Sequence, residues 1–272
     1  MKFKNFVVAS LLLLSILLMG INIYGLFQSI RPTNLSGDNL RFENDEPLEF
    51  PSVLSSLDQL SGKSTDSYQQ DMTKLISAAV AHIHWNEELD ATKFNQLVPV
   101  WENYILFFMG KFSGIPEYQK YHFVNYKRSL KRGIGLCGDA AMIGSQLLSQ
   151  KAIPNQIISL KKHVVLSSYD ERGREVTLDP DYGVIIPLSM SEILAEPALV
   201  TPYYLQAGYS SQEAIGVQSV YQGEFQRWDG VKHFVTNKYY FEYISYYLKW
   251  LLPIIGLLFG LFFFRSALAK IK

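Results

Sequence analysis

Two uncharged apolar runs lie near the ends of the chain. Residues 5–27 carry no charge and centre on Val-Val-Ala-Ser-Leu-Leu-Leu-Leu-Ser-Ile-Leu-Leu-Met; residues 250–264 are again uncharged and strongly apolar. A bilayer crossing needs about 20 apolar residues. The first run has that length. The second reaches it over 244–264 if Lys249 snorkels to an interface. The pattern therefore predicts membrane-spanning helices over 5–27 and 244–264.

Between them the pattern changes to amphipathic. Residues 28–64 mix Pro, Asn, Ser, Gly and charge and read as a tether, with one short helix near 53–60. Met72, Leu75, Ile76, Ala79 and Ile83 recur at helical spacing, predicting a helix over 64–85. Phe94, Leu97, Val98, Trp101, Ile105 and Phe108 predict the buried face of a second helix over 91–111, which Pro99 kinks or splits. A third helix follows over 138–150, with Ala140, Ile143, Gly144, Leu147 and Leu148 on one face and Pro154 stopping it. Gly144 lets that helix approach a neighbour closely. Strand-like runs occupy 156–160, 163–169, 175–178 and 183–187. The turn Asp170-Glu-Arg-Gly-Arg174 joins the second and third as a hairpin. A three-residue loop with Tyr169 opposite Gly173 sets His163 directly opposite Asp179, on one face of the sheet; a four-residue loop shifts the pairing by one and places Asp179 diagonally. The fold class is α+β, one domain over 65–240 with its core at 70–190.

The ends decide orientation. Lys2 and Lys4 precede the first run; Arg265, Lys270 and Lys272 follow the second. Basic residues favour the cytoplasmic side. Tails 1–4 and 265–272 then lie in the cytoplasm, and the globular domain is extracytoplasmic on an inner or plasma membrane. The other reading of the first run is a cleaved signal peptide, but the apolar stretch is long and no A-x-A-like site follows. Among 272 residues, 25 Lys and Arg balance 25 Asp and Glu. That neutrality gives nucleic acid no electrostatic footprint.

The single cysteine, Cys137, cannot form an internal disulfide. It falls where a glycine-rich loop feeds the third helix, and a helix N-terminus favours a thiolate. With His163 as base and Asp179 orienting the histidine, the three residues form a nucleophilic acyl-transfer set. Asp181 shares the face of Asp179 and is the other candidate for the third role. The Cys137 backbone N–H supplies one oxyanion donor; Asn125, Tyr126 and Lys131 are candidates for the second. His82 and His84, two apart on the predicted helix, face different sides and make no chelate. No metal or cofactor is expected. The aromatics Tyr221, Phe225, Trp228 and Phe234 read as packing and as an interfacial belt.

The runs Gly135-Leu-Cys-Gly-Asp-Ala-Ala, Lys162-His-Val-Val-Leu and Thr177-Leu-Asp-Pro-Asp-Tyr-Gly resemble the transglutaminase-like superfamily. The resemblance covers about residues 70–190. It implies a papain-like core, in which a helix bearing the cysteine packs on an antiparallel sheet bearing histidine and aspartate. It also implies Cys137 as nucleophile, His163 as base and Asp179 as orienter. After the histidine the chain has Val164 and Val165, where members of the superfamily often have alanine and tryptophan.

The expected protein is a membrane-anchored cysteine enzyme that attacks amide bonds of an envelope protein or peptide through a thioester. Abundant water outside the membrane, and no marked amine pocket, favour hydrolysis over amine transfer. A different class also fits two anchors and a tether: a non-catalytic binding or assembly module of a cell-envelope or surface-polysaccharide system.

Overall fold

The computed structural model of the chain describes residues 2–33, 35, 40, 47–83 and 92–268. Expectations for His84, Lys270 and Lys272, for the end of the helix drawn to residue 85 and for much of the tether lie outside the described residues.

Helix α1 (Lys2–Gly25) is followed by α2 (Phe50–Gln59), α3 (Thr65–Ala79) and a two-residue strand β1 (Ala81–His82). Three short helices come next, α4 (Tyr104–Phe112), α5 (Pro116–Gln119) and α6 (Tyr126–Arg132). Strand β2 (Ile134–Gly135) then leads into α7 (Cys137–Gln150). Strands β3 (Asn155–Ser159), β4 (Val164–Tyr169), β5 (Glu175–Asp179) and β6 (Val184–Ile186) follow. The chain continues through α8 (Met190–Ala195), α9 (Thr201–Gln206), α10 (Ser211–Val220), β7 (Gln226–Trp228), α11 (Gly230–Phe234) and α12 (Thr236–Leu268). The class is α+β. By contacts the chain divides into two compact units. One comprises Met1–Ile30, Asp90–Tyr121 and Tyr240–Lys272; the other comprises Arg31–Leu89 and His122–Tyr239.

The larger unit is built on a five-stranded antiparallel sheet ordered β6-β5-β4-β3-β7. Ile157, Leu166, Val176 and Leu178 point to one face and join the core made with α3 and α7. Ile158, Val165, Val184 and Ile186 point to the other and pack with residues of α8, α9 and α10. Helices thus cover both faces, which is why these strands read as continuous apolar runs rather than as clean alternation. Each fully buried aliphatic side chain contributes roughly 1.5–3 kcal/mol. Two such layers are what a sheet needs in order to carry buried polar residues, each buried ion costing several kcal/mol unless paired. Gly144 faces the sheet, where a Cβ would fall 2.7 Å from Leu166 Cδ1. The close approach expected of this glycine is present.

The hairpin has the three-residue loop that the turn predicts, one position further along. Asp170 N–H donates to Arg174 O at 2.9 Å, so the loop is Glu171, Arg172 and Gly173. Gly173 takes the left-handed position at φ +76°, the usual place for glycine in such loops. Treating Gly173 as a strand residue misplaced the register by two. Tyr169 faces Glu175 and Ser167 faces Thr177. A slip of two leaves every side chain on its expected face. Asp179 is therefore diagonal to His163 rather than directly opposite.

Two other expectations change. The helix predicted over 64–85 ends at Ala79, because Ala81 and His82 pair in parallel with Ile134 and Gly135. Among the described residues of the stretch predicted helical over 91–111, the helix begins only at Tyr104 and runs to Phe112; Asn103 starts it by accepting from Ile105 N and Leu106 N. Phe108, expected to be buried, is 50% exposed.

Parts of α1 and α12 are long and apolar enough to cross a membrane, at Phe6–Gly25 and Thr236–Arg265. They touch at small residues. A Cβ on Gly260 would lie 2.4 Å from Leu12, and one on Gly256 would lie 2.1 Å from Ser15. Such close backbone approach is typical of helices that associate without a hydrophobic driving force.

Candidate functional site

Cys137 opens α7, and the preceding chain fixes it there. Asn125 starts α6 by accepting from Lys127 N and Arg128 N. Gly133 ends that helix at φ +71°. The chain then pairs through β2 with β1 and enters α7. Asp139 locks this entry: its Oδ2 accepts from Leu136 N at 2.9 Å and lies 2.6 Å from His122 Nδ1. Burial pushes the Asp139 carboxyl up, but His122, Arg132 and the Leu136 N–H outweigh it and hold it below the usual range. Gly135 is required by closeness, since a Cβ there would lie 2.7 Å from Asp139 Cβ and 3.0 Å from Val80 Cγ1. Gly135→Ala is expected to cost about 1–3 kcal/mol, as overpacking does, and to slow alkylation of Cys137; a melting curve and a labelling rate check both.

His163, just before β4, lies 2.8 Å through Nε2 from Asp179 Oδ2, and the two are 7% and 0% exposed. Asp179 is heavily donated to. Tyr204 O–H reaches Oδ2 at 2.6 Å, and the N–H groups of Asp181 and Tyr182 reach Oδ1 at 3.2 and 3.3 Å. Burial, then the neighbouring carboxylate, raises the Tyr204 phenol well above its ordinary range, so it stays a donor. For His163, burial pulls the imidazole down, but the Asp179 charge and the contact with Cys137 outweigh it and hold it well above 6.5. With Nε2 turned to Asp179, Nδ1 is the ring atom left for the thiol. The ring of Tyr182 packs edge-on against His163 with centroids 5.7 Å apart.

Asp181 enters the same place. Its carboxylate, the Cys137 sulfur and a His163 ring nitrogen lie within 4.8 Å of one another. It is held from behind by His82, Nε2 to Oδ1 2.8 Å, both residues being 4% exposed. Two histidine–aspartate pairs therefore meet at one thiol. Cys137, His163, Asp181 and His82 line a cavity of about 510 Å³, whose far wall includes Glu213 and Val217 of α10. Thiol, imidazole and carboxylate are also metal-ligand types. The sequence reading expected no metal, and it is the fold rather than any spacing that gathers these three.

The structure thus brings Cys137, His163 and Asp179 together and adds Asp181. It does not bring the proposed oxyanion donors. Asn125 is used as a helix cap, Tyr126 O–H donates to Gln150 at 3.2 Å, and neither they nor Lys131 line the cavity. Among the cavity-lining side chains to which the sequence gives no role, His82 is the one that pairs with Asp181. Its signal was the strand-forming Val80-Ala-His-Ile run, hidden by the helical stripe before it. Comparison with protein-family models, with curated proteins and with solved structures finds no match to this chain.

Proposed function

We propose that the protein is a membrane-anchored cysteine acyl-transfer enzyme of transglutaminase-like, papain-like design. The observation that carries this reading is the meeting of Cys137 with His163 in a solvent-reachable cavity, the histidine being fixed by a fully buried Asp179. The Cys137 sulfur attacks an amide carbonyl carbon as its proton passes to His163. The C–N bond of the tetrahedral intermediate breaks as His163 returns that proton to the departing amine, leaving a thioester. Water then attacks the thioester, giving its proton to His163 and restoring the thiol as acid is released. Asp179 keeps the histidine tautomer correct and stabilises its cation.

The Cys137 backbone N–H is one donor to the oxyanion, and His82, at the cavity wall, uses Nε2 to hold Asp181. Envelope proteins or peptides are the substrate class that fits a domain displayed outside a membrane, and hydrolysis fits a site open to water. The apolar helices at both ends support anchoring, with both tails cytoplasmic.

The test is alkylation of Cys137 in the full chain by iodoacetamide across pH, in wild type and in His163→Ala. Faster labelling than that of a simple thiol near neutral pH, lost in the variant, is the expected result. Equal, free-thiol-like rates in both would overturn the enzymatic reading in favour of a non-catalytic assembly module.

A further inference from the structure

The smaller unit holds an element too short to span a bilayer and too apolar for water. Helix α4 has the sequence Tyr-Ile-Leu-Phe-Phe-Met-Gly-Lys-Phe and nine residues, about 14 Å at 1.5 Å per residue. Phe108 is 50% exposed, Phe112 73% and Ile115, in the turn that follows, 40%. Gly110 lets the returning segment fold back closely, since a Cβ there would lie 2.4 Å from Tyr118 O and from Leu97 Cδ1.

The start of α4 is polar. Asn103 Nδ2 donates to Ser245 Oγ at 3.1 Å, and Tyr104 O–H donates to Lys249 O at 3.2 Å. Asn22 Nδ2 reaches the same Lys249 carbonyl at 2.5 Å, and Tyr246 O–H donates to Glu102 at 2.6 Å. This level joins the end of α1 to the aromatic entry of α12. From it α4 runs beside α1 towards the middle of the apolar stretch. Leu14 and Leu18 form one wall of a groove of about 600 Å³, and Phe108, Met109 and Phe112 form the other. Leu18 and Leu14 lie about 10 and 16 Å along α1 from Gly25. Whatever solvates α1 at that depth also bathes α4.

We propose that residues 103–121 form a re-entrant helical hairpin, with the groove between α4 and α1 filled by bilayer acyl chains. The proposal rests on the membrane anchoring given under Proposed function. Backbone at membrane depth must meet its hydrogen bonds within the protein, and at the exposed turn Ser113 N–H donates to Met109 O, Ile115 N–H to Ser113 Oγ and Tyr118 N–H to Ile115 O, each at 3.1 Å. Lys111 is long enough to lift its ammonium towards head groups. Phe108, Phe112 and Ile115 then need no protein partner, because lipid is their solvent.

The experiment places nitroxide labels on single cysteines in the full-length Cys137→Ala protein, reconstituted in phosphatidylcholine–phosphatidylglycerol vesicles. Labels go at Phe112 and Phe108, at Leu258 on α12 as a span control and at Arg172 in the β4–β5 loop as an aqueous control. Collision with oxygen is compared with collision with a nickel chelate. The expected oxygen-to-chelate ratio at Phe112 matches Leu258 and is several-fold above Arg172, with Phe108 shallower. A lipid-like Leu258 with a water-like Phe112 overturns the hairpin and leaves the anchors standing. Water-like values at both overturn the anchoring and the hairpin together. Protection of Phe112 from both reagents means a protein contact and also overturns the proposal.

Discussion

Asp179→Asn is expected to slow acetylation of Cys137 by 4-nitrophenyl acetate by roughly 10²- to 10⁴-fold, the range lost with an orienting carboxylate or a general base. The amide would meet His163 Nε2, the Tyr204 hydroxyl and two backbone N–H groups with one acceptor oxygen where the carboxylate offers two. Its NH₂ would oppose a donor. The imidazole then loses both its tautomer and the charge that holds its pKa up. Burial, the opposing influence, is left to dominate, so the His163 pKa should fall. In wild type the folded value is raised, so the pair's stabilisation is fully present below about 6.5 and is lost as pH rises through the folded value. In the variant, with burial dominant, the sign should reverse, and stability should be lost as pH falls below about 6.5. Histidine NMR titration and the pH profile of acetylation check both. A variant rate within a few-fold of wild type would remove Asp179 from the mechanism and leave Asp181 as the carboxylate to test.

In the β4–β5 hairpin the sequence specifies the face of each side chain but not its partner. Its parity was legible, because alternation of faces survives a slip of two, so His163, Asp179 and Asp181 were all assigned to one face. The exact partner was not, because it depended on whether Gly173 paired or took the left-handed turn position. Cys137 at the start of α7 was legible from Pro154, Gly138 and the apolar stripe between them. The second pair was hidden. His82 meets Asp181 across 99 residues, and only the parallel pairing of two two-residue strands brings it beside Gly135. Strands that short carry no periodicity. Likewise Tyr204 and Tyr221 read as generic aromatics, yet their hydroxyls lie 3.0 Å apart and one of them caps Asp179. The segment containing α4 misled for a different reason: a stripe of apolar residues does not say whether protein or lipid will cover it.

The largest stability effect is expected at Asp139, which touches no substrate. Its carboxylate is 1% exposed, lies 2.6 Å from His122 and accepts from Leu136 N, and so ties residues 122 and 136 to the first turn of α7. Asp139→Ala breaks a buried pair, leaving the Leu136 N–H and the charge of Arg132 without the carboxylate. Losses of that kind cost about 3–5 kcal/mol; because the His122 side chain is 27% exposed and can turn to water, the lower end applies. The pH dependence has a definite sign. The folded carboxyl is held below 3.8, so its stabilisation is present above that value and is lost as pH falls through the folded pKa. Full-length wild type in detergent should therefore lose melting temperature on acidification below about pH 4, partly through this group, and Asp139→Asn should start lower and respond less. Alkylation of Cys137 should also slow, because the same carboxylate holds the backbone that presents the sulfur. Unchanged melting with slowed alkylation would instead place Asp139 in the chemistry, while no change in either would show that the α7 entry is held by its packing alone.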